Sequence, residues 1–213
     1  TVLLSKGVKQ VARIENGIVM LKLIVIIIFI AVGATAIHPD NYVPFIPAHK
    51  AGTHFGGLTG ILAGASQIFI AYVGFDAIAA NTAETINPQK TMPKGLLGTL
   101  FLGTGFFVLV SLVLVGMFKY SIYAGNAEPA AFALRKAGHY FTANLLSLVA
   151  IIGIFSALIG ILLASSRLIY SFGRDGLLSP KLGKINTKHV PKNALWSISL
   201  GALILASFFP FDL

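Results

Sequence analysis

Two charged side chains lie inside long apolar stretches of this 213-residue chain. Lys22 is in GIVMLKLIVIIIFI, and Asp76 is in FIAYVGFDAIAAN. A charge inside a membrane span costs at least ~2.5 kcal/mol on insertion scales, so it indicates a functional site unless it reaches water or a partner. The structural alternatives are a Lys22 that snorkels to the headgroups and an Asp76 that is a neutral, hydrogen-bonded acid.

The two residues indicate different chemistry. A desolvated ammonium gives up its proton more readily, so a Lys22 that faces the helix bundle can couple proton movement to transport. Gly74 beside Asp76 predicts an interrupted helix, whose freed carbonyl and N–H groups can line a cavity. Half-helix ends suit a carboxylate at one end and an ammonium at the other. An amino acid carries both charges.

Polar residues also mark the ends of two apolar stretches. Glu84 precedes an Asn-Pro pair at 87–88, which is expected to stop the helix there. Arg174 and Asp175 close a later apolar segment, and Gly176 is expected to form its left-handed cap.

The composition is that of a membrane protein. Hydrophobic residues make up 56% of the chain and charged residues 11%, against about 25% charged in a soluble domain. A soluble enzyme is therefore excluded, and the net charge of +9 does not indicate nucleic-acid binding because the basic residues lie between apolar runs. The absence of cysteine excludes disulfides, thiolate nucleophiles and cysteine-based zinc sites. No cofactor and no metal are predicted.

Five segments reach or approach the roughly 20 apolar residues that a helix needs to cross the hydrocarbon core. None alternates apolar and polar residues as the strands of a membrane barrel do, so an all-α membrane protein is predicted. The predicted spans cover residues 17–37, 58–85 with a break near 72–76, 95–118, 141–172 and 194–210.

The positions of lysine and arginine predict the orientation of these spans. When the apolar part of the fourth span is taken as residues 141–165, eleven of the 16 basic residues lie before the first span, between the second and third, or between the fourth and fifth, and four lie on the opposite side. The first residue is therefore expected in the cytoplasm and the chain in the plasma membrane. Glu84 and Arg174 then both lie at cytoplasmic span ends, where Arg174 or another base is expected to pair with Glu84 when the inward path is shut.

The order of these motifs is typical of one family. FIAYVGFDAIAANTAETINPQKTMPKGL, followed after a further span by SSRLIYSFGRDGLLSP, resembles the sixth to eighth helices of the amino acid–polyamine–organocation superfamily. The chain is similar to bacterial relatives of the cationic amino acid transporters. That superfamily folds as two inverted repeats of five helices, with the first and sixth helices broken. The resemblance implies that this chain supplies helices five to nine of a leucine-transporter-type fold, completed by the remaining helices of a longer protein.

The resemblance also implies a substrate site and a coupling site. Backbone carbonyls of the unwound stretch would face the substrate ammonium, with Asp76 close below. Lys22 matches a fifth-helix lysine that, in proton-coupled relatives, takes the place of a sodium ion, and Ser156 lies on the eighth-helix face near that position. Where many relatives carry an aromatic gate, this chain has Ile70. The resemblance implies that the unwound stretch is flanked by Ile70, Ala71, Tyr72, Val73 and Gly74.

The predicted function is inward transport of an L-amino acid with a proton, by alternating access across the lipid bilayer. An intramembrane aspartyl protease needs two membrane-embedded aspartates, and Asp76 is the only one in this sequence. An amino acid sensor or membrane scaffold with the same fold is the alternative that the sequence leaves open.

Overall fold

A computed structural model describes residues 8–50, 52–53, 55–72, 74, 85–186 and 190–208 of the chain. All regular secondary structure in these residues is helical, and no β-strand occurs among them. The all-α prediction is therefore confirmed. The helices are α1 (Val8–Ala34), α2 (Gly57–Phe69), α3 (Pro88–Met117), α4 (Pro129–Lys136), α5 (Tyr140–Arg174) and α6 (Lys192–Phe208).

Three of these helices contain segments long and apolar enough to cross a membrane: Arg13–Ala34 in α1, the whole of α3 and the whole of α5. Helices α2 and α6 are apolar but shorter, at 13 and 17 residues. Only 17% of the most apolar window of each long helix is buried within the chain. Most of their apolar surface is thus available to lipid or to further helices.

Helix α3 begins seven residues before the third predicted span, at Pro88 rather than residue 95. Proline suits the first helical position because its fixed φ matches the helix and its missing N–H has no partner to lose there. Asn87 takes a left-handed φ of 52°, which asparagine tolerates better than most residues. Its carbonyl accepts the first hydrogen bonds, from the N–H groups of Lys90 and Thr91, at 3.1 and 3.0 Å.

The chain divides into two compact units, each with its own apolar core. The first unit comprises residues 1–20, 76–95 and 152–213, and the second unit comprises residues 21–75 and 96–151. In the first unit, Ile159, Val190 and Leu195 are buried against partly buried leucines of α5. In the second unit, buried residues of α1, α3, α4 and the start of α5 form the core: Phe29, Val113, Met117, Ala131, Ala133, Leu134 and Ala143.

In the second unit, the loop after α1 satisfies the end of α3. Asn41 Nδ2 donates to the carbonyls of Gly116 and Met117, at 2.8 and 3.1 Å. These carbonyls belong to the last turn of α3 and have no donor within the helix. The hydroxyl of Tyr42 donates to the Leu112 carbonyl at 2.9 Å. A side chain at Gly116 would meet the Tyr42 hydroxyl, so the close approach of the loop depends on glycine.

Tyr123, in the 3-10 turn Tyr120–Tyr123 that follows α3, makes a similar bond. Its hydroxyl donates to the Leu114 carbonyl at 2.7 Å. Burial raises the pKa of Tyr123 to about 12, because desolvation disfavours the charged phenolate. The folded pKa is thus above the usual value of about 10. The contribution of this proton to stability is complete below the usual pKa and is lost as the pH rises through the folded value.

In the first unit, α5 ends in the cap that the sequence predicts. Gly176 has a left-handed φ of 81°, and the N–H of Leu177 donates to the Phe172 carbonyl at 2.9 Å. This bond is that of a Schellman motif. The chain then turns back so tightly that a β-carbon on Gly173 would lie 2.6 Å from the backbone nitrogen of Gly183.

We expect Gly173→Ala to destabilise the protein by about 1–3 kcal/mol, because the backbone at Gly183 must move to admit the methyl group. Gly17→Ala is the matched control, since its added β-carbon has no atom within 4 Å apart from its chain neighbours and the nearby backbone of its own helix. Thermal unfolding of the purified full-length protein in detergent measures both. Equal midpoints for the two variants would show that the turn does not need glycine at residue 173.

Candidate functional site

The sequence-predicted site residues are not all within the described part of the chain. Val73, Asp76 and Glu84 lie outside the described residues, as does the side chain of Ile70. The described residues among the predictions are Lys22, Ala71, Tyr72, Gly74, Ser156 and Arg174. Their assigned roles stay predictions, and their surroundings are described below within each unit.

Helix α2 stops being α-helical where the unwound stretch is predicted. It ends at Phe69 and continues as a tighter 3-10 turn, Ile70–Tyr72. Gly74 then takes a φ of 110°, which only glycine adopts without strain. The change of helix type frees carbonyl groups at the end of α2 for other partners. The predicted break at 72–76 stays a prediction, because residues 75–84 lie outside the described part.

Among the predicted substrate-binding residues, Tyr72 has the best-defined side-chain contacts. Its hydroxyl lies 2.8 Å from Thr104 Oγ1 on α3, within hydrogen-bond distance. Its ring packs edge-on against Phe107, with ring centres 5.3 Å apart and an interplanar angle of 83°. Residues 104 and 107 are one helical turn apart, so they share a face of α3. That face therefore holds the 3-10 turn at both the ring and the hydroxyl of Tyr72.

Lys22 lies on the face of α1 that enters the core of the second unit. It is partly buried, and it is followed at three, seven and eleven residues by Val25, Phe29 and Gly33, all buried. A β-carbon on Gly33 would meet the side chains of Val113 and Met117, so α3 packs closely on this stripe. The spacing of three and four places all four residues on one side of the helix. This placement favours a Lys22 side chain that faces the core of the second unit over one that snorkels to the headgroups.

Ser156 pairs with a residue that the sequence analysis does not single out. Ser156 is 2% exposed, near the middle of α5, and its hydroxyl donates to Glu15 Oε2 at 2.5 Å. Both residues belong to the first unit. Glu15 lies seven residues before Lys22 on α1, and this two-turn spacing is the only sequence signal that distinguishes it.

Arg174, predicted in the cytoplasmic gate, contacts its own neighbour along the chain. Its Nε donates to Asp175 Oδ1 at 3.3 Å. Both side chains are more than half exposed, and such surface pairs contribute only about 0–1 kcal/mol. The guanidinium can therefore exchange partners at small cost.

The second unit also contains an apolar cavity of about 590 Å³, between the loop after α1, the start of α2 and α3. None of the described site residues from the sequence analysis lines this cavity. The cavity is lined mainly by Tyr42, Phe45, Ile46, Phe55, Ile61, Leu112, Val115 and Tyr120, with Asn41 and Ser111 as polar groups.

The described residues include no cluster of three or more histidine or acidic side chains that could hold a metal.

The sequence profile of the amino acid permease family matches residues 1–212. The chain belongs to this family. The resemblance to the amino acid–polyamine–organocation superfamily is thus confirmed. The family match and the apolar helices together make the chain part of a helical membrane protein.

The names of individual relatives indicate different substrates. The chain is 49% identical over 210 residues to the branched-chain amino acid permease BcaP of Lactococcus lactis. The aligned region covers 99% of this chain and 45% of that protein. It is 36% identical over 209 residues to the methylthioribose transporter of Bacillus subtilis, with 98% of this chain and 43% of the relative covered. The cationic amino acid transporter 9 of Arabidopsis thaliana is 33% identical over 186 residues, with coverages of 87% and 31%. The chain therefore spans less than half the length of these relatives.

We expect Tyr72→Phe and Thr104→Val, each made in the full-length protein, to raise by about 2- to 10-fold the KM of the amino acid transport proposed for it below. Each loses one neutral hydrogen bond, worth about 0.5–1.5 kcal/mol, that holds the 3-10 turn. The phenylalanine variant keeps the ring contact with Phe107. Tyr140→Phe, on an exposed residue at the start of α5, is the control. Unchanged KM values in both variants would exclude a positioning role for this bond.

Proposed function

We propose that the full-length permease moves an amino acid across the plasma membrane together with a proton, with the first residue of this chain in the cytoplasm. The match of the amino acid permease family to residues 1–212 carries the transport part of this proposal. The substrate we propose is a branched-chain amino acid, on the strength of the 49% identity to a relative named for that substrate.

The substrate site is proposed at the end of α2. The carbonyl end of a helix carries partial negative charge, which suits the ammonium group of an amino acid. The change to a 3-10 turn at Ile70–Tyr72 and the positive φ of Gly74 support a backbone that is open to a ligand there. Asp76 and the carbonyls of Ile70, Ala71 and Val73 are proposed to complete this part of the site.

Lys22 is proposed as the residue that couples the proton to transport, and Ser156 is proposed as a second coupling residue on the strength of the family resemblance. A protonated Lys22 would hold the carbonyls of a neighbouring half-helix in the outward-facing state, and loss of its proton to the cytoplasm would release them. Coupling then arises because the two conformations differ in their affinity for the proton. The buried stripe that continues from Lys22 through Val25 and Phe29 supports its inward orientation.

The function is tested by uptake into vesicles that contain the purified full-length protein, with an imposed proton gradient. Labelled isoleucine is compared with labelled arginine and methylthioribose. We expect accumulation of isoleucine above its equilibrium level, and only when the gradient is present. Accumulation of another compound alone would overturn the branched-chain assignment. Binding of isoleucine without transport would indicate a sensor rather than a transporter.

Two substitutions at Lys22 distinguish the role of its positive charge from the role of its exchangeable proton. We expect Lys22→Ala to reduce gradient-driven accumulation roughly 5- to 150-fold, the range of a coupling free energy of about 1–3 kcal/mol. We expect Lys22→Arg to block net uptake as well, because a guanidinium keeps its charge and cannot release a proton. Uptake at a series of external pH values measures both variants.

Lys119→Ala is the control for Lys22, because Lys119 is exposed in the turn after α3. Wild-type pH dependence in the Lys22→Ala variant would assign this lysine to snorkelling instead.

A cytoplasmic gate is proposed between Glu84 and Arg174. We expect Glu84→Lys and Arg174→Glu each to open the cytoplasmic path up to about fivefold more often, since an exposed ion pair contributes about 0.2–1 kcal/mol. The double variant restores the opposite charges and is expected to return towards the wild-type value. The alkylation rate of one cysteine introduced at the cytoplasmic end of α5 measures this opening.

Lys181→Glu, in the loop after α5, is the control for charge reversal at the gate. An alkylation rate in the double variant equal to the product of the two single effects would exclude a direct pair.

A further inference from the structure

The end of α5, the start of α6 and the loop between them carry clustered positive charge. Among residues 174–186 and 190–192, four side chains are cationic and one is anionic. Arg174 and Asp175 form an ion pair with each other, so the charges of three lysines remain. All three lysines are exposed, and they make no ion pair in the described part of the chain. These lysines are Lys181, Lys184 and Lys192.

Two contacts hold these lysines close to the helix ends. A β-carbon on Gly183 would lie 2.7 Å from the backbone nitrogen of the last residue of α5, so Lys184 follows a point of close backbone contact. Asn193 Nδ2, in the first turn of α6, donates to the carbonyl of Lys181 at 2.8 Å. Lys192 directly precedes Asn193. The three lysines therefore belong to one surface, on which like charges repel and a bound anion lowers the free energy.

Exposed apolar side chains lie among these charges. Leu177 is 73% exposed, Ile185 is 47% exposed, and Leu178 is exposed as well. The two leucines are held by the turn that ends α5, where both of their N–H groups donate to the Phe172 carbonyl. Trp196, one turn into α6, is also exposed, and tryptophan is enriched at the interface between membrane and water. Leucines beside lysines suit the boundary between acyl chains and headgroups.

A lipid is the partner that matches both features of this surface. The whole of α5 is long and apolar enough to cross the membrane, so the loop that follows it emerges near the headgroups. An anionic phospholipid offers a phosphate to the ammonium groups and acyl chains to the leucines. A free phosphate or a nucleic acid would satisfy the charges and leave the leucines in water.

We propose that this loop is a binding surface for anionic phospholipid. Lys181, Lys184 and Lys192 bind the headgroup, and Leu177 and Leu178 contact the acyl chains beneath it. No covalent bond changes. Anionic lipids give the cytoplasmic leaflet its negative surface potential, and the proposed orientation of the chain places the loop on that side. Only this location rests on the function proposed above, because the binding itself needs neither transport nor a particular orientation.

The test is native mass spectrometry of the purified full-length protein, titrated with phosphatidylglycerol or with phosphatidylcholine of identical acyl chains. We expect tighter binding of phosphatidylglycerol. The double variant Lys184→Gln/Lys192→Gln is expected to weaken that binding about 5- to 30-fold, roughly fivefold for each lysine lost, and to leave phosphatidylcholine binding unchanged. Lys50→Gln/Lys119→Gln is the matched control, because it removes two exposed lysines from loops of the second unit.

A second measurement tests the apolar part of the surface. A spin label on a single cysteine at residue 177, in nanodiscs of phosphatidylglycerol, is expected to collide more often with dissolved oxygen than with a water-soluble nickel chelate. Oxygen concentrates in hydrocarbon, whereas the chelate stays in water. A label at residue 127, which is exposed in the loop before α4, is the control and is expected to show the opposite preference.

Four outcomes would overturn the proposal. Equal affinities of the wild-type protein for the two lipids would remove the recognition of charge. Equal losses in the two double variants would show an effect of net charge alone. Displacement of phosphatidylglycerol by inorganic phosphate at equal concentration would assign the lysines to a free anion. A label at residue 177 that prefers the nickel chelate would place the leucines in water.

Transport measurements distinguish this proposal from the function proposed above, because the lipid titration has no membrane sides and needs no substrate. A protein that prefers phosphatidylglycerol but moves no amino acid would contradict the transport function alone. A protein that accumulates isoleucine but binds the two lipids equally would contradict the lipid surface alone.

Discussion

Hydrocarbon supplies no hydrogen bonds, so a chain that crosses it must satisfy its own polar groups. The long apolar helices of this permease meet that requirement for their backbone by hydrogen bonding within each helix. Where α3 ends, side chains of the adjoining loops take over. Asn41, Tyr42 and Tyr123 each donate to a carbonyl of its last two turns. The loops therefore supply hydrogen bonds to these carbonyls and hold the end of α3 in place.

The same constraint makes each polar side chain inside the bundle informative. Lys22 continues a buried stripe, and the Tyr72 hydroxyl reaches Thr104 on a neighbouring helix. Glu15 is the exception, because only one of its oxygens has a donor among the described residues. An unsatisfied charge is most costly where water is excluded.

Close packing is the second consequence of a lipid environment. Lipid tails are as apolar as leucine, so helices associate through van der Waals contact rather than through the exclusion of water. Glycine permits that contact in both units of this chain. Gly33 admits side chains of α3, Gly116 admits Tyr42, and Gly173 admits the backbone of the following turn at Gly183. Each of these glycines would have to displace a neighbour if it carried a β-carbon.

Several properties could be predicted from the sequence because they depend on local pattern. Apolar length determined the helical membrane class, motif order determined the family, and Lys22 stood out as a basic residue inside the first predicted span. Glu15 could not be found in this way, because an acid near the end of a span is ordinary. Its hydrogen-bond partner is Ser156, which is 141 residues away along the chain. Helical periodicity determines which residues share a face of α1, whereas the packing of separate helices determines what that face meets, and only the tertiary structure decided that.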